Sequence, residues 1–269
     1  MNIKIVCNDN SKIQARIIKH KLVENGFKIV QTEPDFVFVI GGDGTFLRAL
    51  RELNYSHCPI YVCINSGTLG YLQDISCAQV EKLITFLKEN ATKLDNKNTN
   101  KMALAKITYY YNDGSVKVDN AINELQLSGK KYHKMQFYLS DCIDFKQKVV
   151  SSGIILSTPY GSTAYNKSLG GPVFCQGVNA ICSTLIAPIQ NGKTEDYILN
   201  SLIGNKFSVE ILSDTNDVDV IIDGQDIQID LNNICRIEVE IDKKCIYKLN
   251  MNNKSYSRNL LEKMLKSNP

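Results

Sequence analysis

The sequence of 269 residues contains no tryptophan and only three histidines, and its apolar runs are short. None of these runs approaches the roughly 18 apolar residues that a membrane-spanning helix needs, so the sequence predicts no contact with a membrane. The chain opens on a strand-like segment, without a basic stretch followed by an apolar signal core. We therefore expect a cytoplasmic protein.

Metal-ligand patterns are also lacking. No two of the nine cysteines have Cys-x-x-Cys spacing, and His20, His57 and His133 lie far apart. We therefore predict no structural zinc site and assign no metal-ligating residue from these patterns. The formal net charge of +3 is too small and too dispersed to indicate a nucleic-acid partner. Neither a Gly-x-x-x-x-Gly-Lys-Ser/Thr phosphate loop nor a protein-kinase signature is present, which argues against those two mechanisms.

The order of apolar segments predicts an α/β N-terminal domain with a parallel sheet, followed by a β-rich, sandwich-like C-terminal domain. Strand and helix patterns alternate over residues 1–99, whereas short strand-like runs dominate residues 100–255. Among these runs are 116–127, 143–150 and 235–249, the last with a break near Asp242. The end of the chain, 256–269, predicts a C-terminal helix that docks back on the N-terminal domain.

The segment 35–50 joins a buried strand to a helix through three glycines that flank Asp43. Such a turn lets a ligand approach the backbone, and amides at a helix start face anionic groups. A tight turn that simply requires glycine is the alternative. A second glycine loop, 65–71, follows the next strand. Because loops at the carboxyl ends of parallel strands border the ligand crevice, we expect the two loops to face one cleft.

Further chemistry is concentrated in the segment 157–172, which is rich in hydroxyls, glycines and tyrosines. It suits the oxygens of a pyrophosphate or a sugar, although a solvated connection is the alternative. Asn123 and Glu124 interrupt strand-forming residues with groups that can hydrogen-bond an adenine or a ribose. Asp223-Gly-Gln225 most simply predicts the tight turn of a hairpin.

Together these motifs resemble bacterial NAD kinases in order and approximate spacing, over nearly the whole chain. The motifs are Gly41-Gly-Asp-Gly-Thr45, Asn123-Glu124, Thr158-Pro-x-Gly-Ser-Thr-Ala-Tyr165, Ala187-Pro188 and Asp223-Gly224. The first is shared with diacylglycerol and sphingosine kinases, and the third is specific to NAD kinases. The resemblance implies phosphorylation of the adenosine-ribose 2′-hydroxyl of NAD, with ATP as phosphoryl donor and a divalent metal ion such as Mg²⁺. It also implies a homotetramer or a homodimer.

The same resemblance assigns roles to individual residues. Asp43 orients or deprotonates the 2′-hydroxyl, and Gly44 lets the backbone reach the dinucleotide. Asn123 and Glu124 hold the adenosine part. The remaining dinucleotide-binding positions are Ser152, Thr163, Ala164, Tyr165, Ser168, Ala187 and Gln225. Ala187, together with Ile189, reaches the pocket from a neighbouring subunit.

One position departs from the family pattern. Ser152 stands where the family usually has an acidic residue that contacts the nicotinamide end of NAD, so a hydroxyl contact stays possible but the charge is lost. This departure raises one alternative, a dinucleotide-binding protein without turnover. The glycine motif shared within the superfamily raises another, a lipid kinase.

Overall fold

The computed structural model describes residues 1–67, 70–90, 94, 98–141, 145–174, 177–189 and 199–251. By their contacts these residues form two units, one made of 1–102 and 244–251 and the other of 103–243. The domain boundaries predicted from the sequence at 99/100 and 255/256 stay predictions. The predicted C-terminal helix lies outside the described residues.

The first unit alternates strands with helices, as the sequence predicts. Its elements in chain order are β1 (Asn2–Cys7), α1 (Lys12–Glu24), β2 (Lys28–Ile29), β3 (Phe36–Gly41), α2 (Asp43–Glu52), β4 (Ile60–Asn65), β5 (Ile75–Ser76) and α3 (Val80–Asn90). The strands β2, β1, β3 and β4 lie side by side in that order, and every pairing among them is parallel. The α/β prediction with a parallel sheet is confirmed.

Both faces of this sheet are covered by helices. The side chains of Phe36, Phe38 and Ile40 on β3 pack in one cluster with buried residues of α1 and α3. Phe46 of α2 packs edge-on against Tyr61 of β4, with ring centroids 5.7 Å apart. All six residues of β3 are buried, which is typical of a parallel strand covered on both faces.

The second unit is rich in strands, as predicted. Its elements are β6 (Thr99–Tyr111), β7 (Val116–Ala121), β8 (Glu124–Gly129), β9 (Met135–Asp141), β10 (Lys146–Ser157), α4 (Tyr165–Ser168), β11 (Ile181–Pro188), β12 (Ser201–Gly204), β13 (Lys206–Ile211), β14 (Val218–Ile222), β15 (Gln225–Asp226) and β16 (Ile234–Leu249). The ends of β6 and β16 belong to the first unit, where β16 pairs in parallel with β4.

Strand β10 is central to the second unit because it changes partner along its length. Lys146–Ser151 pairs with β9, whereas Gly153–Ser157 pairs with β8, and both pairings are antiparallel. Ser152 lies at the change of partner. The core of this unit contains buried apolar residues of both partners, including Leu125, Leu127, Phe137 and Leu139.

Three strand predictions are corrected. The run 116–127 is two strands, because the chain turns at Ile122 and Asn123, whose backbone N–H groups donate to a carboxylate. Strand β16 passes Asp242 without a break. Strand β10 begins at Lys146 and continues to Ser157, beyond the predicted segment 143–150.

Within the described residues, no helix combines the length and the apolar character needed to cross a membrane.

Candidate functional site

The glycine turn between β3 and α2 is tightly built on one side and open on the other. A Cβ on Gly41 would lie 2.2 Å from Thr45 Oγ1, so this position excludes larger residues. A Cβ on Gly44 would meet no atom within 4 Å, and Gly44 is exposed. The backbone of the first turn of α2 is therefore accessible to a ligand at Gly44.

Asp43 begins α2, and its half-buried carboxylate is held by the loop that follows β4. Tyr71 N donates to Asp43 Oδ2 at 2.8 Å, and Leu72 N donates to Asp43 Oδ1 at 3.0 Å. Gly41 and Asn65 are paired at the carboxyl ends of β3 and β4. The two glycine turns are therefore in contact through Asp43, and the expectation that they face one cleft stays a prediction.

In the second unit, Asp223 organises the turn that carries Asn123 and Glu124. Its Oδ1 accepts hydrogen bonds from Asn123 N at 2.8 Å and Glu124 N at 3.2 Å, and its Oδ2 accepts one from Ile122 N at 3.0 Å. Asp223 is only 3% exposed. Three backbone N–H groups are thus satisfied by one carboxylate.

Asp223 also forms the predicted hairpin turn. Asp223 and Gly224 have φ values of 49° and 74° and connect Ile222 to its antiparallel partner Gln225. Two positive φ angles at the centre of a two-residue loop are typical of a type I′ turn, for which Asp-Gly is a preferred pair. The hairpin prediction is confirmed, and the same turn places a carboxylate against the Asn123–Glu124 backbone.

Asn123 and Glu124 are buried, and each keeps a polar atom without a hydrogen-bond partner among the described residues. These atoms are Asn123 Oδ1 and Glu124 Oε2. Burial, and after it the charge of Asp223, raises the pKa of Glu124 to about 8. Glu124 is therefore mostly protonated at neutral pH and can donate as well as accept a hydrogen bond.

The segment after β10 packs directly onto this turn. Thr158 Oγ1 donates to Ile122 O, and Thr158 N donates to Asn123 O at 2.8 Å. A Cβ on Gly161 would lie 2.2 Å from Asn123 O, so only glycine allows the two backbones to approach this closely. The Thr-Pro-x-Gly sequence therefore positions Asn123 through its backbone.

Two buried polar residues hold the rest of this segment. Ser162 Oγ donates to Pro159 O at 2.7 Å and accepts from Phe174 N at 3.1 Å. Asn166 Nδ2 donates to Pro172 O at 2.9 Å, and its Oδ1 accepts from Thr184 Oγ1 at 2.7 Å. The predicted ligand-binding residues between and beside them are at least partly accessible, namely Thr163, Ala164, Tyr165 and Ser168.

Ser152 and Tyr165 line one cavity of about 300 Å³ in the second unit. Its wall also carries Gln126, Lys131 and Asp219. Asp219 is opposite Ser128 in the β14–β8 pairing, and Ser128 is opposite Gly153 in the β8–β10 pairing. A carboxylate thus lines this cavity even though the position of Ser152 has lost its charge.

The other predicted positions lie at strand ends. Ala187 is exposed in the penultimate position of β11 with a φ of 46°, and Gln225 is exposed at the start of β15. All predicted dinucleotide-binding residues except Gly44 belong to the second unit, whereas Asp43 and Gly44 belong to the first.

Sequence patterns missed Asp219, which lines the cavity, and Lys248, whose Nζ donates to Leu72 O beside Asp43. Lys248 is 1% exposed and follows Ile246 by two positions in β16, where Ile246 is fully buried. Residues two apart in a strand share a face, so a lysine at a buried strand position was an available signal. Asp219 offered no such signal, because acidic residues commonly occupy half-exposed strand positions.

Two family models match the chain consecutively. The model described as ATP-NAD kinase N-terminal domain matches residues 5–91, and the model described as ATP-NAD kinase C-terminal domain matches residues 90–251. An NAD kinase of Finegoldia magna is 37% identical over 214 residues, which cover 75% of this chain and 73% of the relative. An NAD kinase of Streptococcus pneumoniae serotype 19F is 27% identical over 91% of this chain and 89% of the relative.

Solved structures share the fold. An NAD kinase from Archaeoglobus fulgidus in complex with ATP superposes with a TM-score of 0.75 at 22% identity, over 98% of this chain and 99% of that one. Yeast NADH kinase complexed with NADH superposes with a TM-score of 0.79 at 19% identity, over 100% of this chain and 89% of that one.

Proposed function

Because the chain belongs to the ATP-NAD kinase family, we propose that it transfers a phosphoryl group from ATP to the 2′-hydroxyl of the adenosine ribose of NAD, giving NADP. The match of both family models, which together span residues 5–251, carries this proposal. The family matches do not favour either alternative, the lipid kinase or the dinucleotide-binding protein without turnover.

We assign the chemical step to Asp43. Phosphoryl transfer depends chiefly on an aligned nucleophile and on neutralised phosphate charge. The two N–H donors from Tyr71 and Leu72 fix the plane of the Asp43 carboxylate and leave a lone pair on each oxygen. Such a carboxylate can accept the proton of the attacking hydroxyl or hold that hydroxyl in line. Gly44, which is open to a ligand, gives the dinucleotide access to the backbone beside it.

We assign the adenosine part of NAD to Asn123 and Glu124. A buried polar atom without a partner costs about 1–3 kcal/mol, and a bound ligand that supplies the partner removes this cost. Asn123 Oδ1 and Glu124 Oε2 are such atoms. Ribose hydroxyls and an adenine amino group would donate to them, and the protonated Glu124 would donate to a ligand acceptor.

The accessible residues of the 163–168 segment support the remainder of the dinucleotide in this proposal. Thr163 and Ser168 offer hydroxyls, and Tyr165, which is 41% exposed, offers an aromatic ring. Ser152 shares the cavity of Tyr165 and contributes a hydroxyl. Ala164 and Gln225 complete the set within one subunit. Ala187 and Ile189, which are exposed, are proposed to contact the dinucleotide bound by a neighbouring subunit.

A divalent metal ion fits the proposal if ATP supplies most of its ligands. The described residues contain no group of three or more His, Cys, Asp or Glu side chains that could hold a metal ion. Mg²⁺ commonly binds through one or two carboxylates together with substrate phosphates and water, and Asp43 is the carboxylate of the glycine turn. When bound, the ion would neutralise charge on the transferred phosphoryl group.

We also propose a homotetramer or a homodimer and a cytoplasmic location, with NAD as the partner molecule and no nucleic-acid or membrane partner. The exposed Ala187 and Ile189 support an oligomer in which a neighbouring subunit completes the pocket. Light scattering on the purified protein measures the subunit number, and a monomer at assay concentration would contradict this part of the proposal.

The test of function compares the wild type with Asp43→Asn in a coupled assay of NADP formation from NAD, ATP and Mg²⁺. Asp43→Asn should lose about 10²- to 10⁴-fold in kcat, the usual contribution of a positioned acid or base. Calorimetry should show NAD binding retained. Glu89→Gln, a change at an exposed carboxylate of the same unit, should behave as wild type. Wild-type turnover in Asp43→Asn would contradict the role of Asp43.

A further inference from the structure

Lys248 is a buried cation whose side chain contacts the loop that holds Asp43. It lies on β16 and is 1% exposed. Its Nζ donates to Leu72 O at 2.8 Å and pairs with Asp74 Oδ2 at 2.5 Å. Fully buried lysines are rare because desolvation of the ammonium group is costly. The side chain is thus held by one carboxylate and one backbone carbonyl of the same short loop.

Leu72 connects this lysine to Asp43. The carbonyl of Leu72 accepts from Lys248 Nζ, and the N–H of Leu72 donates to Asp43 Oδ1 at 3.0 Å. The preceding residue, Tyr71, donates to Asp43 Oδ2. The backbone around Leu72 is therefore tethered at its carbonyl by a buried ammonium group, and its N–H holds the carboxylate of the reaction centre.

Stability alone is a weak reason for this arrangement. Replacing a buried ion pair by apolar residues of similar volume is often neutral or stabilising. An apolar residue at position 248 would fill the space between β16 and the loop, but it would have no donor for the Leu72 carbonyl. What the lysine adds is a fixed orientation of the 71–72 backbone.

We propose that Lys248, held by Asp74, is a positioning residue for Asp43: it holds the carbonyl of Leu72 and so fixes the backbone of this residue, whose N–H orients the carboxylate. The inference rests on the proposed function, because it concerns the same reaction. It assigns a kinetic role to a residue that touches neither NAD nor ATP in the proposed mechanism.

The experiment measures kcat and the KM for NAD in a set of variants. Lys248→Met keeps the length of the side chain and removes its donor, so kcat should fall by roughly 10- to 100-fold, since a misplacement of about 1 Å can cost 10²-fold. The KM for NAD should change by less than about 3-fold, because the residues assigned to adenosine lie elsewhere. Lys248→Arg, which keeps the charge and the donors, should recover part of the loss. Lys243→Met, at an exposed position of the same strand, is the matched control.

A double-mutant cycle separates positioning from a general effect on folding. If Lys248 acts through Asp43, adding Lys248→Met to Asp43→Asn should lower the residual rate by less than about 2-fold. A purely structural lysine would lower the rate by the same factor in both backgrounds. If Lys248→Met does not fold, the combination Lys248→Met with Asp74→Asn leaves no unpaired buried charge, and the same comparison applies to it.

The outcomes distinguish this inference from the proposed function. A wild type that forms no NADP would overturn both. A wild type that is active, with a defective Asp43→Asn and a fully active Lys248→Met, would overturn the positioning role alone. Equal rate losses from Lys248→Met in both backgrounds would also overturn it while leaving the NAD kinase activity intact.

Discussion

Glu124→Gln should change how the stability of the protein depends on pH. The substitution replaces a buried carboxyl group by a neutral amide of nearly the same shape. In the folded wild type, burial and the charge of Asp223 raise the pKa of Glu124 from its ordinary value of 4.5 to about 8. Folding therefore takes up a proton between these two pH values. The glutamine variant takes up none at this position.

The sign of the effect follows from this proton uptake. Because the pKa of Glu124 is higher in the folded than in the unfolded protein, the contribution of Glu124 to stability is greatest below pH 4.5 and is lost as the pH rises to about 8. At about 1.4 kcal/mol per pKa unit, wild type should lose roughly 2 to 3 kcal/mol relative to the glutamine variant between pH 5 and pH 7. Above pH 8 the difference should stay constant.

The assay is urea unfolding of wild type and Glu124→Gln without nucleotide at pH 5, 6, 7 and 8. The free energy of unfolding is obtained at each pH by linear extrapolation, and the slopes with urea are compared to check that both proteins expose the same surface. The Glu89→Gln variant should follow the wild type. Parallel stability curves for wild type and Glu124→Gln over this range would refute the reasoning.

Two further predictions concern the same turn. The charge of Asp223 adds to burial in raising the pKa of Glu124, and Asp223→Asn removes this charge. The pH at which the contribution of Glu124 to stability is lost should therefore be lower in this variant. An unchanged dependence of the unfolding free energy on pH, measured by urea unfolding, would contradict this. Gly161→Ala places a methyl group 2.2 Å from Asn123 O, which should cost about 1–3 kcal/mol of stability and raise the KM for NAD. Thermal unfolding and initial rates test this, and wild-type values of both would contradict it.

The structure offers a counterpart to Ser152, the position at which the resemblance leads us to expect an acidic residue. Asp219 lines the same cavity as Ser152 and Tyr165. A carboxylate supplied by β14 instead of β10 keeps a negative charge available in this cavity. The departure at Ser152 therefore does not by itself indicate a protein that has lost turnover, which agrees with the family matches.

Local patterns in the sequence were sufficient for the sheet of the first unit and for the glycine turn. The run Phe36–Gly41 is buried on both faces, and the helix begins at Asp43, two positions after it. Strand alternation, helical periodicity and glycine are properties of a few neighbouring residues, so they are readable without the fold. The same holds for the Asp223-Gly224 hairpin turn, whose conformation depends on two residues.

Contacts between distant residues were decided by the tertiary structure. Asp223 bonds to the N–H of Asn123, a residue 100 positions away, and the strand prediction for 116–127 failed because this carboxylate replaces a strand partner there. The unbroken β16 has the same origin, since its pairing partners lie in distant segments.

In the candidate reaction centre, too, one residue is marked by its sequence neighbours and another is placed by a contact between distant parts of the chain. Sequence alone identified Asp43, because its glycine neighbours mark it. Lys248 contacts the carbonyl of Leu72, 176 positions away in the chain, and no local pattern encodes that contact. Its position follows from the register in which Lys248 lies opposite Tyr61 on β4. A single sequence therefore reveals residue types and local turns, whereas strand register determines which polar groups meet in the folded protein.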